Sequence, residues 1–186
     1  MRQSSRRIWG ASFAIALAAG TVSVPTAFAA KDGSNVVINE VYAGGGNQEA
    51  VYNRDFVELY NPTTKEIDVS GWSVNQYATK ETVSNSFKLP DGTVIPAKGS
   101  IVIGFAGGTV GKDLPEGTID GRKAVNFSVS RGGAELVDSA GNRVDLVAWG
   151  PESMVNEGEK APTPQNNGQS LQRIQAGVDS DDNSKD

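Results

Sequence analysis

From Val36 onward the apolar residues fall in short runs of strand length, each closed by turn chemistry. Residues 36–41 form a nearly continuous apolar run of the buried type. Residues 55–61 alternate instead. Phe56, Glu58 and Tyr60 share one face and Val57, Leu59 and Asn61 the other, until the Asn61-Pro62 pair removes a ladder donor and stops the strand. Residues 67–69 and 72–74 follow, separated by Ser70-Gly71. Residues 87–89 end at the turn tripeptide Pro90, Asp91, Gly92, and residues 93–95 end at Pro96. Residues 101–105 and 124–129 are two further strand candidates. The clearest hairpin spans 134–149, where Glu135, Leu136, Val137 and Val144, Asp145, Leu146, Val147 flank a polar turn containing Gly141. No window past the N-terminal region sustains a 3.6-residue period. Many short strands and 22 Gly therefore predict an all-β sandwich or barrel.

Three segments fall outside this pattern. Residues 104–122, rich in Gly after Phe105, predict a long surface loop, and residues 150–169 a polar segment that wraps or hangs. Residues 176–186 are acidic and nearly devoid of apolar side chains. Their end is expected to be disordered unless something ties it down, and Arg173 is a candidate partner for this tail or for Glu58.

The first 29 residues read as a secretory leader. Arg2, Arg6 and Arg7 form a basic head, residues 8–24 carry no charge, and Ala27-Phe28-Ala29 supplies small residues at a cleavage site. Ser5-Arg6-Arg7 has a faint twin-arginine look, but a general secretory signal is the expected reading. The apolar run is short and soft for a span, so no membrane span is expected after cleavage. The organisation expected is leader 1–29, linker 30–35, sandwich domain 36–175 and acidic tail 176–186, in a secreted or cell-surface protein. Without the leader the chain keeps 14 basic and 22 acidic residues, a net charge of −8. That balance argues against nucleic-acid binding through this module, which draws its affinity from Lys and Arg. The sequence has no Cys, which in an exported protein is compatible with a bacterial source.

The residues INEVY, then DFVELYNP, then DVSGWSV, then KLPDGTVIPAKGSIVI resemble the lamin-tail domain in order and spacing. VDLVAWG and SLQRIQAGVDSDDN extend the likeness over about residues 36–183. The resemblance implies an immunoglobulin-like β-sandwich. NEVYAGGGN followed by Tyr52 and DFVELYN is similar to the lamin-tail module in front of the catalytic domain of bacterial extracellular nucleases. The likeness therefore implies a non-catalytic exported module for binding, anchoring or accessory work. Its partner would be a cell-surface component, a polysaccharide or another protein. The alternative is a fragment or accessory module of an extracellular nuclease whose catalytic domain is absent from this chain.

Candidate chemistry is sparse. Without His or Cys, nucleophilic triads and the usual zinc sites are excluded, and the chain is expected not to be an enzyme. Glu40, Asp55 and Glu58 are the best carboxylates for acid–base work, but pairing with cations or capping of backbone N–H groups is the expected role. Gly44-Gly45-Gly46 lacks the helix and Lys of a phosphate loop and reads as a flexible strand connector. Trp72 is expected in the core and Trp149, at a strand end, less firmly so. Asp179, Asp181 and Asn183 have the spacing of a calcium loop and are the candidate metal ligands. Ser184 stands where such a loop needs Gly, and no other cofactor is expected.

Overall fold

The structure, a computed structural model, describes residues 33–186. The expected leader and the first three linker residues lie outside the described residues. Eleven strands and no helix are found among the described residues: β1 (Val37–Tyr42), β2 (Arg54–Tyr60), β3 (Ile67–Asp68), β4 (Ser73–Tyr77), β5 (Asn85–Lys88), β6 (Val94–Ile95), β7 (Ser100–Gly107), β8 (Ile119–Asp120), β9 (Gly132–Val137), β10 (Arg143–Trp149) and β11 (Leu171–Gln172). A five-stranded sheet runs β11-β1-β2-β7-β8, a four-stranded sheet runs β10-β9-β4-β5, and β3 pairs with β6. Every pairing is antiparallel except β7 with β8. The two larger sheets bury their facing sides against each other, which makes the molecule an immunoglobulin-like β-sandwich.

The alternation in β2 explains its packing. Val57 and Leu59 are fully buried, and they meet Ile103 and Phe105 of β7 and Val74, Leu136 and Trp149 of the opposite sheet in one core. A row of rings runs through it. Phe87 meets Phe105 edge-on at 5.8 Å between centroids, Phe105 meets Phe127 at 5.7 Å, and Phe127 meets Trp149 at 5.8 Å. Trp149 is wholly buried and donates from Nε1 to the carbonyl of Ser128 at 2.9 Å. The two tryptophans thus exchange the weights expected of them, since Trp72 is only partly buried at the margin of the core.

Two other expectations change. Residues 124–129 are not a strand, although Val125 and Phe127 are buried. Side chains occupy the backbone groups a ladder would use: Asp55 Oδ2 accepts from the Phe127 N–H and Gln76 Nε2 donates to the Asn126 carbonyl. The run Gly44-Gly45-Gly46 is a connector, but not a loose one. A Cβ on Gly45 would lie 1.9 Å from the Arg54 carbonyl carbon, and one on Gly46, at φ 73°, would lie 1.8 Å from the Gly108 nitrogen. Glycine is required because three backbones pass there in contact.

Gly45→Ala is accordingly expected to destabilise the fold by about 3 kcal/mol through backbone displacement. Gly92→Ala, at φ 79° with open space around it, should cost only about 1 kcal/mol from its left-handed conformation. Urea unfolding of both variants checks the ranking, and equal losses would refute the close-packing account.

Candidate functional site

The most unusual chemistry of this sandwich lies where β1 and β10 face each other. Each carries one extra residue against its neighbour, Asn39 in β1 between Ile38 and Glu40, and Val144 in β10 between Arg143 and Asp145. The bulge in β1 leaves the N–H and carbonyl of Ile38 for side chains. Asp145 Oδ2 accepts the Ile38 N–H at 2.6 Å, and Arg173 Nε donates to the Ile38 carbonyl at 2.9 Å. Arg173 Nη2 then donates to both oxygens of Asp145 at 3.0 and 2.9 Å, a bidentate pair between the sheets. The backbone N–H of Arg173 bonds the Asn39 carbonyl at 2.9 Å, next to the short β11–β1 pairing.

The other guanidinium nitrogen reaches the C-terminal segment. Arg173 Nη1 donates to the Val178 carbonyl at 3.1 Å, to Asp179 Oδ1 at 3.4 Å and to Asp186 Oδ2 at 2.8 Å. Asp186 also accepts the Ser180 N–H. The acidic tail at 176–186, expected to be disordered unless something ties it down, has such a tie. Arg173 ties the tail down, and Asp179 and Asn183 are as buried as core residues. Residues 176–186 pack against the sandwich through these bonds and through Asn183 on β10.

The candidate metal ligands Asp179, Asp181 and Asn183 do not form the expected three-oxygen loop. Asn183 Oδ1 accepts the Ala148 N–H at 2.8 Å and its Nδ2 donates to the Leu146 carbonyl at 2.8 Å, so this side chain stitches the tail to the edge of β10. Asp181 takes a left-handed φ of 54°, and its N–H bonds Asp179 Oδ1. Asp179 instead joins Asp145 and Glu157, and the three present carboxylate oxygens within 4.8 Å of one another. Burial and the repulsion of Asp145, Asp179 and Asp181 push the Glu157 carboxyl up to about 9. Burial and Asp145 push Asp179 to about 6 against the pull of Arg173. Burial also raises Asp145, with Arg173 and the Ile38 N–H opposing it.

Asp145 and Glu157 escaped the sequence reading. Asp145 left a signal, a charge within the apolar run 144–147, whereas Glu157 sits in a stretch that reads only as polar loop. Of the three carboxylates weighed for catalysis, Glu40 and Glu58 stand directly opposite each other in the β1–β2 pairing. Burial pushes the Glu40 carboxyl up, and Glu58 adds to it while Ser170 opposes. Glu58 accepts from Asn39 Nδ2 at 2.8 Å. Asp55 is apart from both, buried, and accepts the N–H groups of Gly45 at 2.8 Å and Phe127 at 2.9 Å. This is a structural cap that ties the glycine run to the segment between β8 and β9.

Beside the carboxylate cluster lies an open cleft of about 400 Å³ between β1, β11 and the segment around Pro162. Val41, Val147, Pro162 and Leu171 give it apolar walls, and Glu40, Gln165 and Gln169 supply polar groups. Arg173, Asn183 and Asp186 contribute to its lining as well, so cleft and cluster share a wall.

A family model described as Lamin Tail Domain matches residues 29–151. The match includes Asp145 and ends before Glu157 and Arg173. No curated protein matches the chain.

Two outcomes follow from these contacts. Arg173→Leu is expected to cost about 3–5 kcal/mol, because it leaves buried carboxylates without their cation. Arg173→Lys should recover only part, since one ammonium nitrogen cannot reach Ile38, Asp145 and Asp186 together, which Arg173 contacts from three nitrogens; urea unfolding and protease sensitivity of the tail measure both. For Asp55, burial raises the folded carboxyl from 3.8 to about 7, with the Gly45 and Phe127 N–H groups opposing. Its contribution is complete below the unfolded value and is lost as pH rises through the folded one, a change of up to about 4 kcal/mol. Asp55→Asn keeps one acceptor oxygen and should be about 1–3 kcal/mol less stable than the native chain in mild acid. That gap should narrow as pH rises from about 4 to about 7 and stay level above that, and a pH-independent gap would refute the assignment.

Proposed function

The chain belongs to the lamin tail domain family, and on that premise we propose that it is a non-catalytic exported module that binds or anchors at the cell surface. The observation that carries this reading is the open cleft between β1, β11 and the segment around Pro162. It has the mixture of apolar wall and a few convergent polar groups that ligand sites use. The partner is a cell-surface component, a polysaccharide or another protein. Gln165 and Gln169 supply neutral hydrogen-bonding groups at its rim, and Glu40 the one carboxylate of β1 in its lining. Export rests on the basic head, uncharged apolar stretch and small residues of positions 1–29. The absence of His and Cys supports the non-catalytic reading, as does the use of Asp55 as a backbone cap.

A second reading has its own observation. The run NEVYAGGGN with Tyr52 and DFVELYN favours service as the accessory module of an extracellular nuclease, with phosphodiester chemistry in a separate domain. The two readings agree on what this module does and differ in what it serves.

The mature chain is expected to be retained on cell-envelope material or its isolated polysaccharides. Thr163→Trp, which fills the cleft from its half-buried wall, should reduce retention at least about tenfold, a loss of about 1.4 kcal/mol, at an unchanged melting temperature. Undiminished retention by that variant would remove the cleft from the proposal. Turnover of DNA, RNA or polysaccharide by the purified chain with Mg²⁺ or Ca²⁺ would overturn the non-catalytic reading.

A further inference from the structure

Two carboxylate oxygens in the Arg173 cluster are buried without a hydrogen-bond partner, Glu157 Oε1 and Asp179 Oδ2. The residues that carry them are only 5% and 3% exposed. Such an oxygen has given up its water and received no donor in return, which is rare unless something else occupies the position. Both residues belong to the group, completed by Asp145, whose oxygens lie within 4.8 Å of one another.

The charge around them is unbalanced. Arg173 divides its single charge among Asp145, Asp179 and Asp186, and Glu157 has no ion pair among the described residues. Four carboxylates, Asp145, Glu157, Asp179 and Asp186, around one guanidinium call for further positive charge. The donor set is oxygen only, which suits a hard divalent cation rather than a thiophilic or imidazole-seeking one. Oxygens on one cation lie at most twice the metal–oxygen distance apart, about 4.6–5.2 Å for Ca²⁺ and about 4.0–4.2 Å for Mg²⁺. All separations in this group are within 4.8 Å, inside the limit for Ca²⁺, whose flexible coordination also suits carboxylates gathered from separate segments better than the strict octahedron of Mg²⁺. The three side chains also come from three stretches of chain: β10, the polar segment after it, and the C-terminal segment.

We propose that Asp145, Glu157 and Asp179 are the protein ligands of a structural divalent-cation site that takes Ca²⁺ and locks residues 173–186 onto the sandwich. This site differs from the Asp179, Asp181, Asn183 spacing, because Asn183 is committed to the backbone of β10 and Glu157 comes from outside the tail. It stands independently of what the cleft binds.

The test uses the mature chain stripped with a chelator. Millimolar Ca²⁺ is expected to raise the melting temperature by at least about 5 °C, the shift for a ligand about a hundredfold above its Kd in a domain of this size. Calorimetry should show one Ca²⁺ per chain. Glu157→Gln and Asp179→Asn should each weaken Ca²⁺ binding at least about tenfold, which corresponds to about 1.4 kcal/mol. Asp182→Asn, at a carboxylate that pairs with exposed Lys185 outside the cluster, should leave it unchanged. If a cluster variant fails to fold, Tb³⁺ luminescence of the native chain reads the same site, with one Tb³⁺ bound per chain and displaced by Ca²⁺. No melting shift with Ca²⁺ would overturn the proposal. So would a shift that the two cluster variants retain, or one that Asp182→Asn abolishes, which would put the cation on the exposed part of the tail. A native chain indifferent to Ca²⁺ beside an equally stable Glu157→Gln chain would show that a proton neutralises the cluster.

Discussion

The contact of Arg173 with Asp145 joins both sheets and the C-terminal segment at one point. Asp145 belongs to one sheet and accepts the Ile38 N–H of the other. Arg173 returns the bond to the Ile38 carbonyl and reaches on to the C-terminal segment. The bulges on β1 and β10 make this possible. Without the extra residue in β1 the polar groups of Ile38 would be committed to a neighbouring strand. A polar bridge thus takes over, at one end of the sandwich, the part that apolar contacts play in its middle. Replacing such a pair with apolar side chains is often neutral or stabilising, whereas removing one partner is costly. The bridge is therefore better understood as fixing the position of the tail than as a net source of stability.

That distinction bears on a chain with no disulfide. A sandwich of this size has enough facing surface to bury a core unaided, as the ring row from Phe87 to Trp149 and the buried valines and leucines show. Its long polar segments have no such driving force. Residues 150–186 contribute one two-residue strand and few apolar side chains, and they are held by particular bonds. The bridge of Trp149 to Ala161, Asn183 on β10 and Arg173 on Asp145 are among the points of attachment. The cleft lies between these attachments, so the polar contacts that secure the tail also shape the wall a ligand would meet.

The sheet architecture was legible because its signals are local. Alternation in 55–61, the turn tripeptide after Leu89 and the polar turn at 138–142 each specify a strand or its end within a few residues. The errors came where the outcome depends on distant chain. Residues 124–129 have the composition of a strand, but Asp55 and Gln76 occupy their backbone groups. The glycine run reads as looseness from its neighbours alone, whereas the close approach of the backbones at Arg54 and Gly108 makes it a point of tight packing. Composition alone leaves the acidic tail without a driving force to order it, and one arginine supplies the tie. Arg173 is a natural partner for that tail, but nothing local tells that it also reaches Asp145, 28 residues earlier in the chain.

The carboxylate cluster shows why sequence spacing is a poor guide to ligand sets in β-sandwiches. A motif with oxygens at alternate positions assumes that one loop curls around one ion. In this fold the loop is spread flat against an edge strand, and the hydrogen-bonding demands of that edge claim Asn183 first. Donors that remain for a cation must then come from whichever chain segments the edge brings together. β10 supplies Asp145, the segment after it supplies Glu157, and the tail supplies Asp179. A site assembled this way couples cation occupancy to docking of the tail. Three like charges cannot be gathered under burial unless the tail, the guanidinium and the neutralising ion or proton are in place together. Tail docking and neutralisation are therefore two descriptions of one event, and the orphaned oxygens of Glu157 and Asp179 mark where it is completed.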